Sequence, residues 1–374
     1  EKYIKFTGNP KIKKLKVVSA KSVSFYYNPD CLISEIEDNG SAIDYNFVYL
    51  SFQDFDNASS GDIIFNTSGT INLKGINSSK NIIVNNGTLQ INETFEGQDV
   101  ISKNQTSING TVNVNDINCG KTTITGNVTA KKITLAENTI DGIITGTEIT
   151  LGKTKLKGSI TGTDVEIGDV ELNGAIIGNN ITLAEINVVE DSELKINETS
   201  TDGKITLNGN VLSTDAKTLT LNGNVDALCS SINLDQGTLE SKGTVTVQKD
   251  LEIDAVSIFG KNVDAEENLT INGASKFIQT VEVEKNLVIT GESVFKEAVK
   301  AGENLKITEN AAFESTEKSV EVGNNLTIDG KANVKPMLHV NTENCLVNHN
   351  TAISNVRIDE LFYLMSKGIS KESS

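Results

Sequence analysis

The sequence predicts an all-β protein, a right-handed, three-faced parallel β-helix with coils of 16–18 residues. Three observations carry that expectation. A 16-residue unit repeats five times between Gly110 and Val189, and an 18-residue unit repeats from Asp250 onward. No proline stands between Pro29 and Pro336. A solenoid requires that spacing, because each strand donates backbone N–H groups to the coil beside it and proline has none to give.

Residues 1–64 differ in composition from all that follows. They contain Tyr3, Tyr26, Tyr27, Tyr45 and Tyr49, together with Pro10 and Pro29. Their opening is basic, with Lys2, Lys5, Lys11, Lys13, Lys14, Lys16 and Lys21. The stretches 16–27 and 46–55 are rich in β-branched and aromatic residues and read as strands. This predicts a small β-rich module with its own core, seated on the first coil.

The solenoid is expected over 65–335. Gly69-Thr-Ile71-Asn-Leu73 and Gly87-Thr-Leu89-Gln-Ile91 introduce its phrase, a glycine followed by apolar residues at alternate positions. In the 16-residue units Gly110, Gly126, Gly142, Gly158 and Gly174 mark the start, and pairs such as Ile133/Leu135 and Ile149/Leu151 supply the period of two that strands require. Between 190 and 249 the spacing loosens, although the phrase persists at Ile205/Leu207 and Leu219/Leu221. Beyond 250 each unit carries a phenylalanine (Phe259, Phe277, Phe295, Phe313), and Asn268, Asn286 and Asn304 open successive copies of Asn-Leu-x-Ile. With coils stacked about 4.8 Å apart, roughly sixteen of them make a rod on the order of 75 Å long. Identical positions then form columns, predicting an internal aromatic ladder and an amide ladder at one bend.

The tail, 336–374, holds both histidines (His339, His349), the one arginine (Arg357) and both methionines. Residues 354–365 read as a short amphipathic helix with Val356, Leu361, Leu364 and Met365 roughly on one side. It would cap the unpaired strand edges at that end of the rod.

Composition narrows the function. A net charge of −17 disfavours nucleic acid and anionic membranes as partners. No apolar run is long enough to span a bilayer as a helix. With Glu1 in place of Met, the start reads as that of a processed or recombinant chain, in which a removed secretion signal would not be visible. Four cysteines, Cys31, Cys119, Cys229 and Cys345, do not make a disulfide-dense scaffold, and their spacing assigns no pairing.

Enzymatic chemistry is not expected. Polysaccharide-cleaving solenoids need clustered carboxylates with a basic group to stabilise developing charge. The nearest fragment, Asn233-Leu-Asp235, has no adjacent carboxylate pair in its own coil and the solenoid has no arginine, so it reads as a turn. His339, Cys345 and His349 match no tight zinc spacing. The acidic stretches 264–267 and 282–284 lack the glycine-rich repeat of calcium-binding rolls. Thr145-Gly-Thr147 and Thr161-Gly-Thr163 resemble a flat threonine array over two coils only. No cofactor or metal is expected. Asn-x-Ser/Thr triplets make Asn57, Asn66, Asn77, Asn86, Asn92, Asn104, Asn109 and Asn127 candidate glycosylation sites along one end of the rod. Asn180, Asn197, Asn268 and Asn325 carry the triplet too, but ladder bonding would hold Asn268 and Asn325.

The Gly-x-Ile-x-Gly-x-x-Ile-x-Leu phrase of 142–183 resembles the coils of bactofilins, which are polymer-forming right-handed β-helices, and is similar to the shafts of secreted bacterial adhesins. A left-handed hexapeptide solenoid fits less well, since 16 is not a multiple of six. The expected function is a non-enzymatic structural protein, extracellular or at the cell surface. Such a rod would assemble with copies of itself into a filament, sheath or coat, its basic N-terminal arm lying on a neighbour or folding onto its own first coil. The alternative is an adhesin that meets surface carbohydrate or a host protein through residues 1–64.

Overall fold

A computed structural model describes residues 9–26, 29–55, 61–315 and 320–334. Over these residues the chain is an all-β parallel solenoid of about 17 turns, with no helix. Each short strand alternates inward and outward residues; Val281–Val283, for example, is buried, exposed and buried in turn. The tail from 335, with its expected helix, Cys345 and both histidines, lies outside the described residues, as does Asn57.

In the 18-residue region, from Val263 onward, each strand pairs with the third strand after it. Leu269–Ile271 lies on Leu287–Ile289, Ser275–Phe277 on Ser293–Phe295, and Val281–Val283 on Val299–Ala301. The 16-residue region keeps the same logic at its own step, with Val112 on Val128, Ile117 on Ile133 and Ile124 on Ile140. Between them the coils lengthen at their corners. Ile181 pairs Ile205 and then Ile205 pairs Val225, so residues inserted in the turns leave the stacked strands in register.

The compositional change at residue 64 has no counterpart in the pairing. Lys11–Ile12 pairs in parallel with Leu32–Ile33, which pairs with Ser51–Phe52. Ser51–Phe52 then joins the end of Thr70–Ser78. Ser22–Phe25 likewise stacks on Asp44–Val48, and Tyr45 sits beside Ile71. The first described residues are therefore coils, and one apolar core runs from Val17 to Ile328. The N-terminal aromatics fill this end of it. Phe25 stacks on Phe47 at 5.7 Å, Tyr45 stacks on Phe47 at 5.9 Å, and Phe52 meets Phe47 edge-on at 5.3 Å.

The described part of the basic arm also folds onto its own chain. Leu15–Val17 pairs with Ile36–Asp38. Lys14 bridges Glu35 and Glu37 at 2.7 and 2.5 Å, and Lys16 reaches Glu37 at 2.8 Å. Those ammonium groups are thereby matched inside the molecule.

Candidate functional site

The columns are the most ordered chemical feature of the rod. Phe259, Phe277, Phe295 and Phe313 stack with ring centroids 5.0, 5.0 and 5.1 Å apart and nearly parallel planes. Phe259, Phe277 and Phe295 are at most 1 % exposed, and Phe313 is 5 % exposed. Outside the core an amide column runs the same way. The Asn286 Nδ2 donates to Asn268 Oδ1 at 2.7 Å, Asn304 donates to Asn286 at 2.6 Å, and Asn325 donates to Asn304 at 2.8 Å. Asp250 begins the column by accepting from Asn268 at 2.8 Å, and the Asn268 hydrogen bonds hold its carboxyl below its ordinary range.

A second amide column near the other end was missed in the sequence. Asn92 Nδ2 donates to Asn72 Oδ1 at 2.7 Å and Asn109 Nδ2 donates to Asn92 Oδ1 at 2.9 Å, while Asn72 leans on Asn46 at 3.4 Å. Its members lie 26, 20 and 17 residues apart, so no fixed period betrays them.

This column sorts the candidate glycosylation sites. Asn92 and Asn109 use their amide nitrogens within it. Asn86 donates to the Asn66 carbonyl at 3.3 Å, Asn104 donates to the Asn86 carbonyl at 2.5 Å, and Asn66 accepts from Asn85 at 2.8 Å. Asn77 and Asn127 are exposed and make no side-chain hydrogen bond among the described residues. Asn180 donates to Asp164 at 2.7 Å and Asn197 donates to Asn179 at 2.8 Å.

Acid–base groups are arranged along the rod rather than gathered. Lys121 meets Glu137, Lys155 meets Glu171 and Lys300 meets Glu282, each one coil away. A shallow depression of about 330 Å³ lies on the outer face of one sheet, lined by Glu148, Thr150, Asp164, Glu166, Asn180 and Thr182. Glu148 is bridged to Lys132 at 3.4 Å, and Asp164 accepts from Asn180. Thr145 faces outward and exposed, and Thr161 is half-buried. Asn233 accepts from the Asp235 N–H at 3.0 Å, closing a turn in which Asp235 is left-handed.

Among the described residues no cluster of histidine, cysteine and acidic side chains is placed to hold a metal ion. Cys31, Cys119 and Cys229 are buried free thiols, each pushed up to about 11 by burial, so each stays protonated near neutral pH. No described helix is long and apolar enough to cross a membrane.

One family model, described as "SUF system FeS cluster assembly, SufBD core domain", matches residues 305–374. The match begins in the last described coils, at Asn304–Ile307, and covers a minority of the chain. No curated protein and no solved structure matches the chain.

Proposed function

We propose that this chain is a non-enzymatic structural protein, a right-handed, three-faced solenoid rod that joins copies of itself into a filament, sheath or coat outside the cell. Pairing of each strand with the third after it supports three faces, and parallel crossovers are right-handed in the great majority of proteins. The short helix expected at 354–365 would cover one end.

The observation that carries the reading is the edge at the other end. Lys11–Ile12, Leu15–Val17 and Ser22–Phe25 each pair on one side only among the described residues. Such an edge accepts a strand from a second copy, and a contact of this kind that does not close makes filaments. Asp44 donates its N–H to the Lys21 carbonyl at 3.0 Å. By the alternation of a ladder, Ser22 and Ser24 then turn their backbone groups to the side on which no described strand pairs. Ser22→Pro, at the first residue of its strand, deletes one such donor without removing an internal ladder bond. Electron microscopy of the wild type should show rods joined end to end, and Ser22→Pro should leave single rods with an unchanged melting temperature. Wild-type rods that stay single at high concentration would overturn assembly and leave the adhesin reading in its place.

A second reading is favoured by the family match alone: a scaffold in iron–sulfur cluster assembly, with the cluster as cargo. The described body does not fit such cargo, because its three thiols are buried in separate coils. The matched stretch does contain His339, Cys345 and His349. Anaerobic incubation with iron and sulfide decides this. Visible cluster absorption lost in Cys345→Ala would support the scaffold, and a colourless protein would remove it.

A further inference from the structure

The least satisfied part of the core is one corner of the rod, between the strands Val100–Ile108 and Ile143–Leu156. Thr106, Thr122, Asn138 and Thr154 succeed one another as register partners and are all buried. Ser102 is stacked on Cys119 in the same coils. Two oxygens here, Ser102 Oγ and Asn138 Oδ1, have no protein partner, and Thr106 Oγ1 has only the Cys119 sulfur, on residues 1 %, 4 % and 0 % exposed.

The orphans have a local cause. Where the corner spans two residues, its hydroxyl closes on the backbone; Thr122 donates to the Gly120 carbonyl at 3.2 Å and Thr154 to the Gly152 carbonyl at 3.1 Å. Between Ser102 and Thr106 the corner holds Lys103, Asn104 and Gln105, and the ladder slips there. Thr106 thereby loses the acceptor its successors use and lies instead against the Cys119 sulfur, a weak partner. Asn138 spends its amide nitrogen on the Leu135 carbonyl and on Thr154 Oγ1, both at 3.4 Å, leaving its oxygen an acceptor without a donor.

We propose that this corner is an internal binding site for ordered water, one molecule shared by the Ser102 and Thr106 hydroxyls beside Cys119 and a second donating to Asn138 Oδ1. The site needs a small ligand that both donates and accepts. Water meets each requirement, and buried waters typically take two to four such partners. A cation does not fit, because the lining side chains are two hydroxyls, a thiol and an amide.

Two measurements test the site. A crystal structure resolving ordered solvent should show density within hydrogen-bonding distance of both Ser102 Oγ and Thr106 Oγ1. Ser102→Ala and Thr106→Val should each lower the melting temperature, by about 2 °C or more, because each strands the water and its remaining partner. If the corner is dry, each substitution removes an unmet polar group and the melting temperature rises. A rise, or an empty corner in the density, overturns the proposal.

Discussion

At the scale of the residue, the ladders depend on donors and acceptors alternating without error. Asn286 shows the constraint, since its Nδ2 faces both Asn268 Oδ1 and Glu303 Oε2 while its own Oδ1 receives Asn304. Asn286→Asp replaces the only side-chain donor in that contact with a third acceptor and leaves just the Asn286 backbone N–H on Asn268 Oδ1. It should cost about 1–3 kcal/mol at neutral pH and recover partly on acidification, when a protonated acid can donate again; denaturant unfolding at two pH values measures this. Glu37 behaves in the opposite sense. The Lys14 ammonium, followed by that of Lys16, holds its carboxyl from an ordinary 4.5 down to about 2. A depressed carboxyl contributes stability above its unfolded pKa and loses it as pH falls through the folded one, so the window is pH 4.5 to 2. These groups are exposed, and salt should screen the effect. Amide protection of Leu15–Val17 and Ile36–Asp38 should fall across that window at low salt, and Lys14→Ala should flatten the fall. An unchanged profile in the variant would show that the pairing contributes nothing. The Asn268–Asn304 column was legible because its step is constant, whereas the column from Asn46 to Asn109 was hidden by coils of unequal length.

At the scale of the element, what could be read followed from repetition. In the 16- and 18-residue regions a single phrase fixes strand, corner and register together, because every inward position must match the coil above and below. The first coils lack that phrase. Ile33 sits on Phe52 and Tyr45 on Ile71, steps of unequal length, and aromatic rings replace the small aliphatic set, so composition suggested a separate module where pairing is continuous. Corner glycines have two different reasons to be there, which the sequence alone does not separate. A Cβ on Gly142 would stand 1.8 Å from the Gly126 carbonyl oxygen of the coil beside it, whereas one on Gly146 would meet the Ala130 oxygen at 3.0 Å. Ala130 occupies the column of Gly146 in the preceding coil, so that column already admits a methyl. Gly142→Ala should therefore cost at least the ~1–3 kcal/mol of an overpacked core, with Gly146→Ala much milder. Thermal melts of the two variants compare them directly, and equal losses would mean that the coils separate freely at the Gly142 corner.

At the scale of the whole molecule, inward residues dictate the architecture while outward residues are nearly free, which is why fold was legible and function was not. The same division governs how damage spreads. Each coil touches only its neighbours, so stability is close to a sum of coil and interface contributions rather than one indivisible core. Phe295 lies between Phe277 and Phe313, with centroids 5.0 and 5.1 Å away, and is fully buried. Phe295→Ala should cost about 3–5 kcal/mol, since rigid ladders above and below prevent the cavity from collapsing. In a linear array that loss should be confined. Hydrogen exchange should accelerate at Ser275–Phe277, Ser293–Phe295 and Ala311–Phe313, while strands such as Asn127–Ile140 keep wild-type protection. Uniform loss of protection along the rod would instead identify a single cooperative unit. No change anywhere would mean that the aromatic column contributes nothing to holding the coils together.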